Sequence, residues 1–229
     1  MKTWFLGVLL VILVLILAIL WPHIQIFAPS AAAPSSPQIV VATSTITAST
    51  SEYTVDSNYP QFGIPAIDTQ IKTWVQNGID DLESQANNDQ PAENNFPLYS
   101  FTSQFSRAYV GDDYISVELV LSDYTGGAHE LPVIVGATFN RSTGLPVTLD
   151  EALALTGKTL EQVAQEAKAQ LAQDPDTQPT DMWSSGSDPV PNNYQTFLVT
   201  ADSVIFIFQP YQVAPYSAGA PEISISRIK

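Results

Sequence analysis

Histidine is the side chain best suited to moving a proton near neutral pH, and this sequence of 229 residues holds only two, His23 and His129. His129 lies in SDYTGGAHELPV, residues 122–133, a stretch that also carries Asp123 and Glu130 and follows Glu118. A Ser-His-Asp relay is arithmetically available in a chain this rich in Ser and Asp, but no G-x-S-x-G elbow accompanies it. A zinc ion would need His129 plus carboxylates, and neither H-E-x-x-H nor C-x-x-C spacing occurs. Glycoside hydrolysis would need two carboxylates facing each other across a cleft, which spacing along a chain does not establish. No catalytic residue, metal or cofactor is therefore assigned. Three readings of Gly126, Gly127, His129 and Glu130 stay open: a turn that a sheet needs, a binding loop, or the centre of a hydrolase.

A second stretch, FQPYQVAPYSAG at 208–219, combines two prolines, two tyrosines and a glycine. Such a rigid, partly aromatic loop serves as a binding surface at low entropic cost, with Tyr211 and Tyr216 as its candidate contacts. The alternative is that both tyrosines cover the end of a sheet, a role tyrosine fills equally well.

The elements around these stretches follow from periodicity. Ile64, Ile67, Ile71, Trp74, Val75, Ile79 and Leu82 recur at spacings of three and four after Gly63, with Pro65 at a helix start, so a helix runs to Asn87 or Asn88. Tyr99, Phe101, Phe105 and Tyr109 alternate with polar residues as a strand does, and Gly111-Asp112-Asp113 reads as a turn. Two more strands are expected around Ile115–Leu121 and Val133–Phe139. The antiparallel connection between them contains Gly126-Gly127, which supplies positive φ that no β-branched residue adopts easily.

Thr148-Leu-Asp-Glu151 and Thr159-Leu-Glu-Gln162 are capping boxes, each announcing a helix. Residues 174–193 read as a long polar loop. Phe197–Thr200 and Val204–Phe208 pair as a hairpin, and Glu222–Arg227 alternates as a final strand. The class is α+β: a mainly antiparallel sheet with helices packed on it, preceded by a single N-terminal transmembrane helix.

That first helix is read at residues 4–21, WFLGVLLVILVLILAILW, which has no charged side chain and rises roughly 27 Å as a helix, enough to cross a bilayer core. A signal peptide cleaved near Ser30-Ala31-Ala32 is the alternative, but the apolar run is longer, and the cleavage site farther from it, than such peptides require. Lys2 precedes the run and no base follows until Lys72, so residues 1–3 form a cytoplasmic stub and the rest lies outside. Residues 22–51 read as an uncharged tether, although Ile39-Val40-Val41 and Ile46 suit the start of a first strand. The globular part is then 52–229.

Cysteine is absent, so no disulfide framework holds that exported domain. Net charge is −15, with all 23 acids beyond residue 51. Nucleic acid and anionic lipid are poor partners for such a surface, and a cationic protein is a suitable one.

The segments YTGGAHE, TFNRSTGLPVTLDEAL and FLVTADSVIFIFQPYQVAPYSAGAPEISIS, in that order, resemble the DUF3298-type extracytoplasmic domain found in lysozyme-sensing anti-sigma factors and beside peptidoglycan deacetylase domains. YPQFGIPAIDTQIKTWVQNGIDDL is similar to the DUF4163-like region that precedes it, which divides the domain at 52–95 and 96–229. The resemblance implies an α+β fold and a binding role, with lysozyme or a peptidoglycan component as ligand and deacetylase chemistry placed on a separate domain. One departure is plain. An anti-sigma factor needs a cytoplasmic segment, and the stub of residues 1–3 is too short to hold a sigma factor.

Overall fold

The structure, a computed structural model, describes residues 39–88, 98–177 and 184–228. The expected membrane span at 4–21 lies outside these residues; among the described residues no helix is long and apolar enough to cross a membrane.

Two sheets are present rather than one. The first has five strands in chain order: β1 (Ala42–Ser49), β2 (Tyr53–Gln61), β3 (Tyr99–Val110), β4 (Tyr114–Tyr124) and β5 (Leu131–Asn140). Neighbours pair antiparallel except β2 with β3, which run parallel. A parallel pair needs a long crossover, and helix α1 (Pro65–Asn88) supplies it. Its buried stripe, Ile67, Ile71, Val75, Ile79 and Leu82, packs on Val55, Phe101, Val117, Leu119 and Phe139 of the sheet.

Strand β1 corrects the tether read at 22–51, because its last third is sheet. The weak strand signal at Ile46 was the visible part of it. β-branched Thr43, Thr45, Ile46 and Thr47 favour extended backbone, but Ser, Thr and Ala carry most of its alternation and hide the apolar period. β2 escaped notice for a similar reason. Its inward series is Val55, Ser57, Tyr59, and the buried Ser57 hydroxyl is matched by a hydrogen bond with Ser103 on β3.

The second sheet is antiparallel, with β7 (Ser203–Ile207) between β6 (Phe197–Val199) and β8 (Glu222–Ser226). Helices α2 (Leu149–Thr156) and α3 (Leu160–Leu171) cover it around Val163, Ala167, Tyr194, Phe206 and Ile223. Both capping boxes form as expected: Thr148 accepts from the Glu151 N–H, Thr159 from the Gln162 N–H, and each partner side chain accepts from the cap's own N–H. The stretch at 174–193 contains short 3-10 turns in its described parts. Tyr194 there is fully buried, its hydroxyl donates to the Ser187 carbonyl at 2.8 Å, and burial together with the charge of Asp188 pushes its phenol well above the ordinary range.

A polar seam joins the sheets. The Ser116 hydroxyl on β4 accepts from the Val199 N–H at 2.9 Å and lies 2.8 Å from the Val199 carbonyl. A bulge between Phe105 and Arg107 sets Arg107 toward two carboxylates, Glu118 on β4 and Glu222 on β8.

Candidate functional site

β4 and β5 are joined by residues 125–130, where Gly126 and Gly127 adopt φ of +98° and +147°. The turn reading is therefore met in its geometry. Tyr124 steadies the connection by donating its hydroxyl to the Gly127 carbonyl at 3.0 Å. Gly126, Gly127, His129 and Glu130 are all exposed.

The loop after β7 is anchored to the same edge. The Gln209 side-chain amide accepts from the Ile134 N–H at 2.9 Å and donates to the Ile134 carbonyl at 2.7 Å, so one side chain continues the hydrogen bonding that another strand would give β5. Gln212 ties the loop inward by donating to the carbonyls of Gly186 and Asn193 at 2.9 and 3.0 Å. Gly186 permits this approach, since a Cβ there would stand 1.7 Å from the Gln212 carbonyl oxygen. Between the two glutamines, the Gln212 N–H donates to the Gln209 carbonyl at 2.9 Å, which closes a four-residue turn. Pro210 suits its second position, and the third ordinarily takes Gly or Asn because φ there is positive. Here the third residue is Tyr211, with φ of +69°, the one non-glycine residue in that region among those described.

These two constructions bring both stretches together. The His129 ring stacks on Tyr216 with centroids 4.4 Å apart, and Tyr216 lies 5.5 Å from the Tyr211 ring. His129 Nδ1 is 2.7 Å from the Glu130 carbonyl, so that nitrogen donates. The Tyr216 hydroxyl donates to the same carbonyl at 3.2 Å. With Nδ1 protonated, Nε2 of the neutral ring is the acceptor facing the Tyr211 hydroxyl, at a loose 3.5 Å. Tyr211 remains 44% exposed, and Leu131 and Val133, successive residues on one face of β5, are each 49% exposed. The result is an exposed aromatic cluster of His129, Tyr211 and Tyr216 beside Glu130, while Leu131 and Val133 share the face of β5 that carries Val135, Ala137 and Phe139 toward α1.

Among the described residues no carboxylate is hydrogen-bonded to the His129 ring. Glu118 stands six positions along β4 from Tyr124, about 20 Å at strand rise, and is held by Arg107 Nε at 2.7 Å and by the Ser106 hydroxyl at 2.8 Å. Its place in the group of carboxylates near His129 is thus corrected: β4 carries it away. Among the described residues no Ser or Thr hydroxyl is bonded to His129, and no group of three His, Cys, Asp or Glu is placed to hold a metal ion. Gln209, Gln212 and Gly186 went unnoticed in the sequence because their roles exist only once distant backbone arrives beside them. Q-P-Y-Q was the legible trace, a turn sequence with an aromatic residue where Gly is usual.

Residues 46–131 match the family model described as Deacetylase PdaC, and residues 153–227 match the model described as Protein of unknown function (DUF3298). The first match extends beyond the expected division at residue 95 and ends at Leu131; the second begins within α2. The chain is similar to Immunogenic protein MPT64 of Mycobacterium tuberculosis, 25% identical over 157 residues that span 69% of this chain and 68% of that protein. It is also similar to Esterase Rv3036c of the same species, 24% identical over 181 residues, 79% of this chain and 78% of that one. The crystal structure of a DUF3298 family protein from Pseudomonas aeruginosa PAO1 shares the fold, with a TM-score of 0.54 at 18% identity, covering 82% of this chain and 91% of that one.

Proposed function

We propose that the chain is a membrane-anchored extracytoplasmic binding domain, held by residues 4–21, that recognises a cationic protein of the lysozyme type at the cell envelope. The observation that carries the reading is the meeting of His129 and Glu130 with Tyr211 and Tyr216 in one exposed cluster. Its composition is that of an interface centre: aromatic rings of low conformational entropy gathered in one exposed cluster. Tyr211 is held in a backbone conformation that costs free energy, and such strain persists mainly where surrounding structure enforces it for use. The acid excess draws a basic partner in from a distance, while the rings supply contacts that survive salt. The PdaC match supports a place at the cell envelope.

Calorimetry of the purified chain with hen lysozyme at low and high salt tests this, with cytochrome c as an equally basic control. Saturable lysozyme binding that outlasts screening, and weakens on Tyr216→Ala, is expected; the Debye length at physiological salt is about 8 Å, so purely long-range attraction fades there. Equal behaviour of the two proteins, or detachment of both at high salt, refutes it. If a purified envelope glycan binds instead, the ligand class is wrong although the surface is right.

A second reading, an envelope hydrolase centred on His129, is favoured by the likeness to Esterase Rv3036c. It requires ester hydrolysis that disappears in His129→Ala with the fold intact. The same substitution leaves no catalytic trace if the site only binds.

A further inference from the structure

At the opposite end of β4 lies a cleft of about 510 Å³, a volume within the range that holds small molecules. It opens between the β3–β4 turn, Gly111-Asp112-Asp113, and the β6–β7 turn, Thr200-Ala201, with Tyr109 and Tyr114 as its aromatic wall. Arg227, just past β8, lines it and also lines an adjoining cleft of about 460 Å³ beyond Ala201. In a chain with 8 bases against 23 acids, a guanidinium without a carboxylate is unexpected. Arg107, Arg141, Lys158 and Lys168 each have an acidic partner, whereas Arg227 and the exposed Lys72 have none among the described residues, and of these two Arg227 alone lines a cleft.

Arg227 is instead held by neutral groups. Its Nη1 donates to the Thr200 carbonyl at 2.6 Å and reaches the Ala201 carbonyl at 3.3 Å, and its guanidinium carbon sits 5.3 Å from the centre of the Tyr114 ring. These contacts fix the plane of the group and occupy one end of it. The side-on edge, Nε and Nη2, is left. Nε is buried without a hydrogen-bond partner, the one such side-chain atom among the described residues. Nε is closed off from the cleft, so Nη2, which has no hydrogen-bond partner among the described residues, is the guanidinium nitrogen left to donate to a ligand there.

The same cleft carries negative charge. The Asp113 carboxylate has no hydrogen-bond or ion-pair partner among the described residues, and Asp112 keeps only a 4.0 Å contact with Arg141 from a side chain that is 92% exposed. A simple anion would meet Arg227 but be repelled by these two acids and by the net charge of −15. A ligand carrying both a carboxylate and an ammonium group meets neither objection. We infer that the cleft between the β3–β4 and β6–β7 turns binds a zwitterion of the amino-acid or short-peptide class, its carboxylate on Nη2 of Arg227 and its ammonium group toward Asp112 and Asp113. This site is separate from the aromatic surface: β4 spans about 33 Å between their two turns at strand rise.

The test is calorimetric titration of the full chain in detergent with the dipeptide alanylalanine, its C-terminal amide, its N-acetyl form, and acetate. Saturable binding of the free dipeptide is expected. Loss of a charge-assisted contact weakens binding about tenfold or more, so the amide should bind at least that much more weakly, and the N-acetyl form and acetate should also fall well below the zwitterion. Arg227→Gln and Arg227→Lys should both reduce affinity, the lysine because it lacks the planar group that the Thr200 carbonyl and the Tyr114 ring hold in place, with far-UV circular dichroism checking the fold. Tyr216→Ala should leave dipeptide affinity unchanged. The ligand series on the unaltered chain stands even if the Arg227 variants fold poorly. No saturable binding of the dipeptide, equal binding of its amide, acetate binding as tightly as the zwitterion, or loss on Tyr216→Ala each overturns the inference. None of these outcomes bears on whether lysozyme binds at the other end of β4.

Discussion

Tyr211 offers the sharpest test of how the aromatic surface is built. At an ordinary exposed position Ala is more stabilising than Gly by about 0.4–1 kcal/mol, because glycine gains more freedom on unfolding. At φ of +69° the order should invert. A left-handed conformation costs an L-residue roughly 1–2 kcal/mol and glycine almost nothing, so Tyr211→Gly should exceed Tyr211→Ala in stability by about 0.5–1 kcal/mol after the entropy of glycine is subtracted. Both variants lose the same ring contacts with Tyr216 and His129, so the comparison isolates the backbone. Urea unfolding monitored by circular dichroism provides the assay. With a urea slope of about 1–3 kcal/mol/M, the difference separates the two midpoints by roughly 0.2–1 M. Ala equal to or more stable than Gly would mean that position 211 is not strained, and the argument that the turn stores free energy to present a tyrosine would fail. If the surface binds lysozyme, both variants should bind more weakly whatever their stability.

Ser116→Ala should cost about 1–3 kcal/mol in the same assay, because the buried Val199 N–H loses its acceptor; a change within 0.5 kcal/mol would show that the seam is not needed. Val at Gly126 or Gly127 should destabilise by about 1 kcal/mol or more, through backbone strain alone because both sites are open, with His129→Ala milder; the reverse ranking in thermal melts would contradict the turn reading. Glu151 has its carboxyl pulled below the ordinary range by hydrogen bonds from the Thr148 backbone and then its hydroxyl. Its ionised form therefore favours the folded state at pH values above the usual carboxylate range, and that contribution disappears as pH falls through the lowered folded value. Wild type should exceed Glu151→Gln in stability near neutrality and converge with it in acid; parallel curves across the whole pH range would refute the assignment.

Much of this fold was legible because its longest elements follow simple periods. The stripe from Ile67 to Leu82 and both capping boxes identify helices by local physics alone, and the structure places them where that physics does. β1 and β2 were obscured because Ser and Thr occupy positions where sheet patterns are read from apolar residues. Without β2, the parallel pairing with β3 had no partner from which to be inferred. Even the site divides this way. Gly126-Gly127 announced a turn and Q-P-Y-Q a rigid loop, but their meeting depends on Gln209 finding the Ile134 backbone 75 residues away, which no local pattern encodes.

That meeting also crosses the two matched regions. His129 and Glu130 fall within 46–131, while Tyr211 and Tyr216 fall within 153–227. Most of β5 lies in neither match, yet it pairs with β4 on one side and receives Gln209 on the other. The cleft at the far end is shared in the same way, Asp113 coming from the first region and Arg227 from the second. Expressed apart, the two matched regions would lose the Ser116, Arg107 and Gln209 contacts that close the seam, and with them Phe139 and Leu149, which belong to the apolar clusters but lie in neither match. Buried donors and a strand edge would then face water, and neither candidate site would be complete. The two candidate sites are therefore properties of the joined halves, whose residues are held in register by the polar seam together with the apolar cluster of Ile134, Leu198 and Ile207 that bridges the sheets.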